Sequence, residues 1–212
     1  MPANRYELMA TWYLRFNGYF TTPDFTVHPD YRKRRGGTDA DVLAVRFPFS
    51  FEYQRGFDFT RDESFILPNY IDFLICEVKA GICCINDTWL NQEMKNVQYA
   101  VRWMGFEEDN SKINEIAKSV YETGSWNDQE EKGLSVRFIC IGDRVNDNIS
   151  RNFPKVNQKL HNDVISYLRR RFKTGCNQIT RENWDADIIW FAENCINLSN
   201  DDLIKWANES IK

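Results

Sequence analysis

Several things are scarce in this chain, and each scarcity removes a class of protein. There are two histidines and six cysteines, and no cysteine pair has CxxC spacing. A structural zinc site needs clustered Cys and His ligands, so zinc is not expected. No apolar run approaches the roughly 20 residues that span a bilayer, so no membrane is expected among the partners. The first residues lack the basic segment and apolar stretch of a secretory leader, so a cytoplasmic chain with reduced, partly buried thiols is expected. Repeats, low-complexity tracts and Pro/Gly/Ser linkers are also missing, so one domain over 1–212 is expected. Its core would span about 1–145 and a helical extension about 154–212. A formal net charge of -4 speaks against a protein that simply coats nucleic acid.

What is present is bulk and uneven charge. Aromatic residues make up 15% of the chain, enough to fill a core with large side chains. Six acids and two lysines fall between Trp184 and Lys212, and eight acids against three bases fall in 106–132. Residues 144–173 invert this, with eight bases against Asp147 and Asp163. An acidic protein with one concentrated basic face can still hold a polyanion there.

Hydrophobic spacing predicts a mixed α/β order. Tyr6, Met9, Ala10, Tyr13 and Phe16 lie at helical intervals over 5–17, with Gly18 as the stop. Strands are expected near 25–28 and 41–47, an irregular insertion over 49–69, and a central strand over 71–79. A helix over 91–105 would put Met94, Val97, Val101 and Met104 on one face and Lys95, Gln98 and Arg102 on another. The acidic stretch 106–132 reads as a helix with exposed loops, and 134–141 as a strand. Pro154 suits the first turn of a helix reaching about Phe172. Thr180 would cap a helix carrying Trp184, Ile188, Phe191 and Cys195 on one face, and Ser199 with Asp202 forms a capping box for the last helix.

Two segments carry chemistry. In Gly36-Gly37-Thr38-Asp39-Ala40-Asp41-Val42-Leu43 and in Phe73-Leu74-Ile75-Cys76-Glu77-Val78-Lys79, an apolar strand bears a carboxylate at one end. Strand side chains alternate, so Glu77 and Lys79 share a face and Val78 points away. If the strands are neighbours, Asp41 meets Glu77. Two carboxylates with the Val78 carbonyl form a hard oxygen set suited to Mg²⁺ or Mn²⁺. Lys79 beside them can orient a water or stabilise charge on a phosphate. Asp39 would point to the same face as Asp41; Asp41 is preferred because the apolar strand follows it directly.

The Asp-(x)n-Glu-x-Lys arrangement over a strand pair resembles the PD-(D/E)xK nuclease superfamily of restriction-endonuclease-like proteins. The resemblance covers the first two-thirds of the chain. It implies an αβββαβ core with a mixed sheet and a metal-dependent nuclease, most simply a DNA endonuclease of defence, repair or recombination. It implies Asp41, Glu77 and Lys79 as the catalytic trio, with Asp41, Glu77 and Val78 on the metal. Glu7 on the first helix and Gln98 on the helix after the Glu-x-Lys strand match positions where some branches place further site residues. No proline precedes Asp41, and 77 − 41 = 36 positions separate the acids, a long interval for this pattern. DNA is favoured over RNA as the partner. A homodimer, or a protein partner on the acidic segments, is a further option the resemblance leaves open. The other reading is a catalytically inactive nuclease fold that binds nucleic acid or protein.

Two basic runs are phosphate-contact candidates: Arg32, Lys33, Arg34 and Arg35 before the Asp strand, and Arg169, Arg170 and Arg171. The first is equally a solvated loop, and the second reads more readily as a solvated helix face or a complement to the helix C-terminal dipole. His28 and His161 read as structural, and the tryptophans, Trp89 included, as packing residues.

Overall fold

The structure is a computed structural model, and it describes residues 4–27, 37–48, 61–65, 70–128, 133–173 and 184–211. Helix α1 (Arg5–Phe16) begins where the Asn4 side chain accepts the Glu7 N–H and ends at Asn17, followed by Gly18 at φ 89°. Three strands follow: β1 (Phe20–Val27), β2 (Thr38–Arg46) and β3 (Ile71–Val78). Next come helices α2 (Asp87–Leu90), α3 (Asn96–Met104) and α4 (Asn110–Thr123), then strands β4 (Ser125–Asn127) and β5 (Leu134–Gly142). Helix α5 (Asp147–Asn152), strand β6 (Asn157–Leu160) and helices α6 (His161–Lys173), α7 (Ala186–Asn194) and α8 (Asn200–Asn208) complete the described chain. None of its helices is long and apolar enough to cross a membrane.

The strands form one mixed sheet in the order β1-β2-β3-β5-β4. The pairs β1·β2 and β2·β3 are antiparallel, and β3·β5 is parallel through the α2–α4 crossover. The outer edge of β5 is shared: β4 pairs antiparallel with 135–137 and β6 pairs parallel with 139–142.

Alternation along β3 and β5 divides the core between the two faces of the sheet. Leu74, Cys76, Val78, Ile139 and Ile141 join the α1, α6, α7 and α8 side, where Trp12, Phe16, Phe172 and Phe191 pack. Phe73, Ile75, Val136 and Phe138 join the α3–α4 side, with Val97, Val101, Ile113 and Ile116. The α/β class and the mixed sheet thus stand, and α6–α8 pack onto the same apolar cluster as α1.

Several expectations need correction. Strand β1 starts at Phe20, five positions before the expected 25, and β2 starts at Thr38, so Asp41 lies inside its strand. The 91–105 helix is broken: a 3-10 turn over Gln92–Met94 and Lys95 at φ 56° precede α3. Pro154 starts no helix. It lies in a turn, and the short polar strand β6 intervenes before His161. Three polar residues and one leucine, with no alternating apolar pattern, left β6 unreadable; only the open edge of β5 beyond β4 makes it a strand. The Ser199–Asp202 capping box is present as expected. The Thr180 cap, His28 and most of the 49–69 insertion lie outside the described residues.

Candidate active site

Strands β2 and β3 place the acids. Val42 lies opposite Cys76 at the end of the antiparallel ladder, and Asp41 and Glu77 are the next residues on the two strands. Glu77 follows Phe73 and Ile75 on the α2–α4 face, and its side chain is 0% exposed. Lys79, just past the strand, turns back over both acids. Its Nζ donates to Glu77 Oε2 at 2.7 Å and to Asp41 Oδ2 at 3.1 Å. The Val78 N–H also donates to Asp41 Oδ2, at 2.6 Å. Asp41 and Lys79 keep 18% and 25% of their side-chain surface exposed, so the cluster opens on the Asp41–Lys79 side.

One contact was missed by sequence reasoning. The indole Nε1 of Trp89 donates to Glu77 Oε1 at 2.8 Å. Trp89 is fully buried and was read as packing, but a buried indole N–H must find an acceptor, and a buried carboxylate must find donors. Helix α2 is tied down nearby: Thr88 Oγ1 donates to Thr38 Oγ1 at 2.7 Å, and the Asn96 amide donates to the Thr88 carbonyl at 2.9 Å.

Burial pushes the Glu77 carboxyl up to about 7, with Asp41 adding to the rise, against the pull of Lys79 and the Trp89 bond. For Lys79, burial works against the ammonium, but Glu77 and then Asp41 outweigh it, and the pKa is raised. A lysine with a raised pKa holds its proton. As placed, Lys79 is a fixed cation and not a general base.

His161 supports the same turn from behind. Its ring packs against Tyr6 in a tilted pair with centroids 4.2 Å apart, and Nε2 lies 2.8 Å from the Lys79 carbonyl. A carbonyl only accepts, so Nε2 carries the proton, and burial lowers the ring pKa and keeps it neutral.

The other candidates fall in different places. Glu7 is buried on α1, on the opposite side of the sheet, and accepts from Asn4 Nδ2 at 2.7 Å. Burial pushes the Cys76 thiol up, with Asp41, Glu77 and then Glu7 adding to the rise and Lys79 opposing it. Gln98 accepts a hydrogen bond from Tyr121 of α4 at 3.0 Å. Asp39 is exposed, whereas Asp41 holds the lysine. In the Arg169–Arg171 run, Arg169 donates to the carbonyls of Cys195 at 2.5 Å and Leu198 at 2.8 Å. Arg171 is 2% exposed and lies over Phe16, 5.1 Å from the ring centroid. Only Arg170 of the three is exposed, over Tyr167, so the run is chiefly internal structure rather than a phosphate-binding face. Arg32, Lys33, Arg34 and Arg35 lie outside the described residues.

The donor set is hard oxygen, and two carboxylates share one ammonium, leaving an excess of negative charge. That set fits Mg²⁺ or Mn²⁺ in chemistry. Among the described residues no group of three or more His, Cys, Asp or Glu side chains gathers into a metal cage, so a cation held here would keep waters in its shell. No protein-family model, curated protein or solved structure matches the chain.

Proposed function

We propose that this chain is a metal-dependent nuclease of the PD-(D/E)xK class, with DNA as the preferred substrate. The observation that carries the reading is the single Lys79 ammonium shared by Asp41 and Glu77 on adjacent antiparallel strands. The order α1-β1-β2-β3-helices-β5, with β3 and β5 parallel, supports an αβββαβ restriction-endonuclease-like core.

In this reading Asp41 and Glu77 hold Mg²⁺ or Mn²⁺, with the Val78 carbonyl as a third oxygen. When bound, such an ion supplies Lewis-acid stabilisation and a more acidic water. The chain's own groups do the rest. Trp89 fixes the Glu77 rotamer, and the Val78 N–H fixes Asp41. Lys79 provides a permanent positive charge for a phosphate oxygen, with its backbone anchored by His161. Asp41→Ala and Glu77→Ala are each expected to abolish cleavage of plasmid DNA in Mn²⁺ and to weaken Mn²⁺ binding in calorimetry, with the circular dichroism spectrum unchanged. Full cleavage by either folded variant removes the assignment.

A second reading has one observation in its favour: the ammonium already satisfies both acids, as in a purely structural ion pair. The chain would then be an inactive nuclease fold that binds nucleic acid or protein. Wild-type protein that ignores Mn²⁺ in the same titration selects this reading.

A further inference from the structure

Three cysteines converge where the β3–α2 connection crosses the end of β5, and the nuclease reading uses none of them. Cys83 is buried in that connection and Cys140 is buried in β5, 57 positions later. The Cys83 Sγ lies 3.8 Å from the Cys140 carbonyl oxygen, and the Cys140 Sγ lies 3.1 Å from the Cys84 carbonyl oxygen. Each thiol thus lies against the backbone of the other cysteine's segment. Gly142 makes room for this approach: a Cβ there would sit 3.1 Å from the Cys83 sulfur and 2.6 Å from the Gly81 carbonyl.

The connection is anchored on one side and open on the other. Backbone bonds from Cys83 N–H to the Arg144 carbonyl (2.9 Å) and from Asp143 N–H to the Gly81 carbonyl (2.6 Å) lace it to β5. Outward, Gly81 has nothing within 4 Å of a built Cβ, Ile82 is 45% exposed, and Cys84 is exposed. A small oxidant therefore has a short path to Cys83, and two thiols that each pack against the other's segment are placed to close to the S–S length of about 2 Å.

We propose that Cys83 and Cys140 are an oxidant-reactive dithiol that closes to an intramolecular disulfide with hydrogen peroxide. Cys83 is the attacking sulfur. It lies between exposed Ile82 and exposed Cys84 in the connection, whereas Cys140 lies inside strand β5. The Cys83 thiolate displaces hydroxide from peroxide and becomes a sulfenic acid. The Cys140 sulfur then attacks it, the S–O bond breaks, and water leaves. Overall, two thiols and one peroxide give one disulfide and two waters. The bond ties the β3–α2 connection to the strand residue that pairs with Glu77. It also closes a long loop, which restricts the unfolded chain.

The test uses the full chain, reduced, desalted and treated with hydrogen peroxide under native conditions. Intact mass is expected to fall by two hydrogens, and peptide mapping without reductant should find Cys83 joined to Cys140. Dithiothreitol should reverse both results, and the melting temperature should be higher in the oxidised form. Cys84→Ser should crosslink as wild type does, while Cys83→Ser should not. Mapping of the wild-type chain alone decides the case if a variant fails to fold. Crosslinks through Cys84, mass gained as oxygen without a link, unchanged thiols, or linkage only in urea would each overturn the proposal.

Discussion

Strand β3 carries a fully buried carboxylate near each end, and the two ends solve the same problem in opposite ways. At the start, Asp72 accepts from Arg137 Nε at 3.0 Å and Nη2 at 2.6 Å, and from the Tyr19 hydroxyl, with Arg46 Nη2 at 4.0 Å. Two guanidiniums serve one carboxylate, and their other contacts are internal: Arg137 Nη1 donates to the Ser64 carbonyl and Arg46 Nη1 to the Phe65 carbonyl. At the far end, two carboxylates share one ammonium, and that ammonium is a quarter exposed. A buried charge with surplus partners stabilises the fold and offers nothing to a ligand. In the proposed reading, the end where carboxylates outnumber their cations is where a cation from solution would bind.

The largest effect is expected from breaking the first cluster. Arg137→Ala leaves Asp72 without its bidentate partner in a dry site, and should cost about 3–5 kcal/mol in urea unfolding, the usual cost of orphaning a buried charge. Lys79→Ala should cost much less stability, because Glu77 already sits near neutrality in its proton affinity and can protonate. Equal losses in the two variants would erase the distinction between the ends.

For catalysis the ranking inverts. Lys79→Ala should slow single-turnover cleavage by about a hundredfold, the scale of losing one electrostatic group, with Mn²⁺ affinity near normal. Lost Mn²⁺ binding in a folded variant would place the lysine in a different role.

The pH dependence sharpens the contrast with a third carboxylate. The folded-state value of Glu77, about 7, lies above its ordinary 4.5, so protonation favours folding. That contribution is complete below about 4.5 and is lost as pH rises through about 7. Asp62 does the reverse. Burial raises its pKa, but the Lys159 hydrogen bond and those of Ser64 outweigh burial and hold it at about 2, below its ordinary 3.8. Its contribution is present above about 4 and is lost as pH falls through about 2. Glu77→Gln should therefore flatten the decline in melting temperature between pH 5 and pH 8, roughly the interval bracketing the folded value, and leave acid unfolding below pH 4 nearly unchanged. A wild-type decline that persists in the variant would remove Glu77 as its source.

The smallest effect is expected from Trp89→Phe. It keeps most of the ring's packing and removes one charge-accepting hydrogen bond, for a loss of about 1–3 kcal/mol. Activity should fall further than this packing change alone predicts, because Glu77 then loses the contact that sets its rotamer. Unaltered cleavage would make Trp89 a packing residue only.

How far the site could be read from the chain follows from local rules. Alternation placed Glu77 and Lys79 on one face before any pairing was known, and the Asp41 strand was visible as an apolar run after an acid. Helical spacing found α1, and the Ser199–Asp202 pattern found the start of α8. What stayed hidden depends on partners distant in sequence. The β6 strand exists because β4 covers only part of the β5 edge. The Arg169–Arg171 run resembles a solvated basic face in sequence, yet the α7–α8 connection and Phe16 take up Arg169 and Arg171.

The sequence by itself therefore determined the α/β class, the types of the strongly periodic elements, the shared face of Glu77 and Lys79, and the hard-oxygen character of the acids, because these follow from backbone periodicity and side-chain chemistry. Tertiary structure decided that Asp41 rather than Asp39 meets Lys79, that Trp89 holds Glu77, that Lys79 stays protonated, and that Asp72 is spent on arginines. Each of these depends on which groups burial brings together and on how many charges share one dry site, and no local pattern in a chain encodes that count.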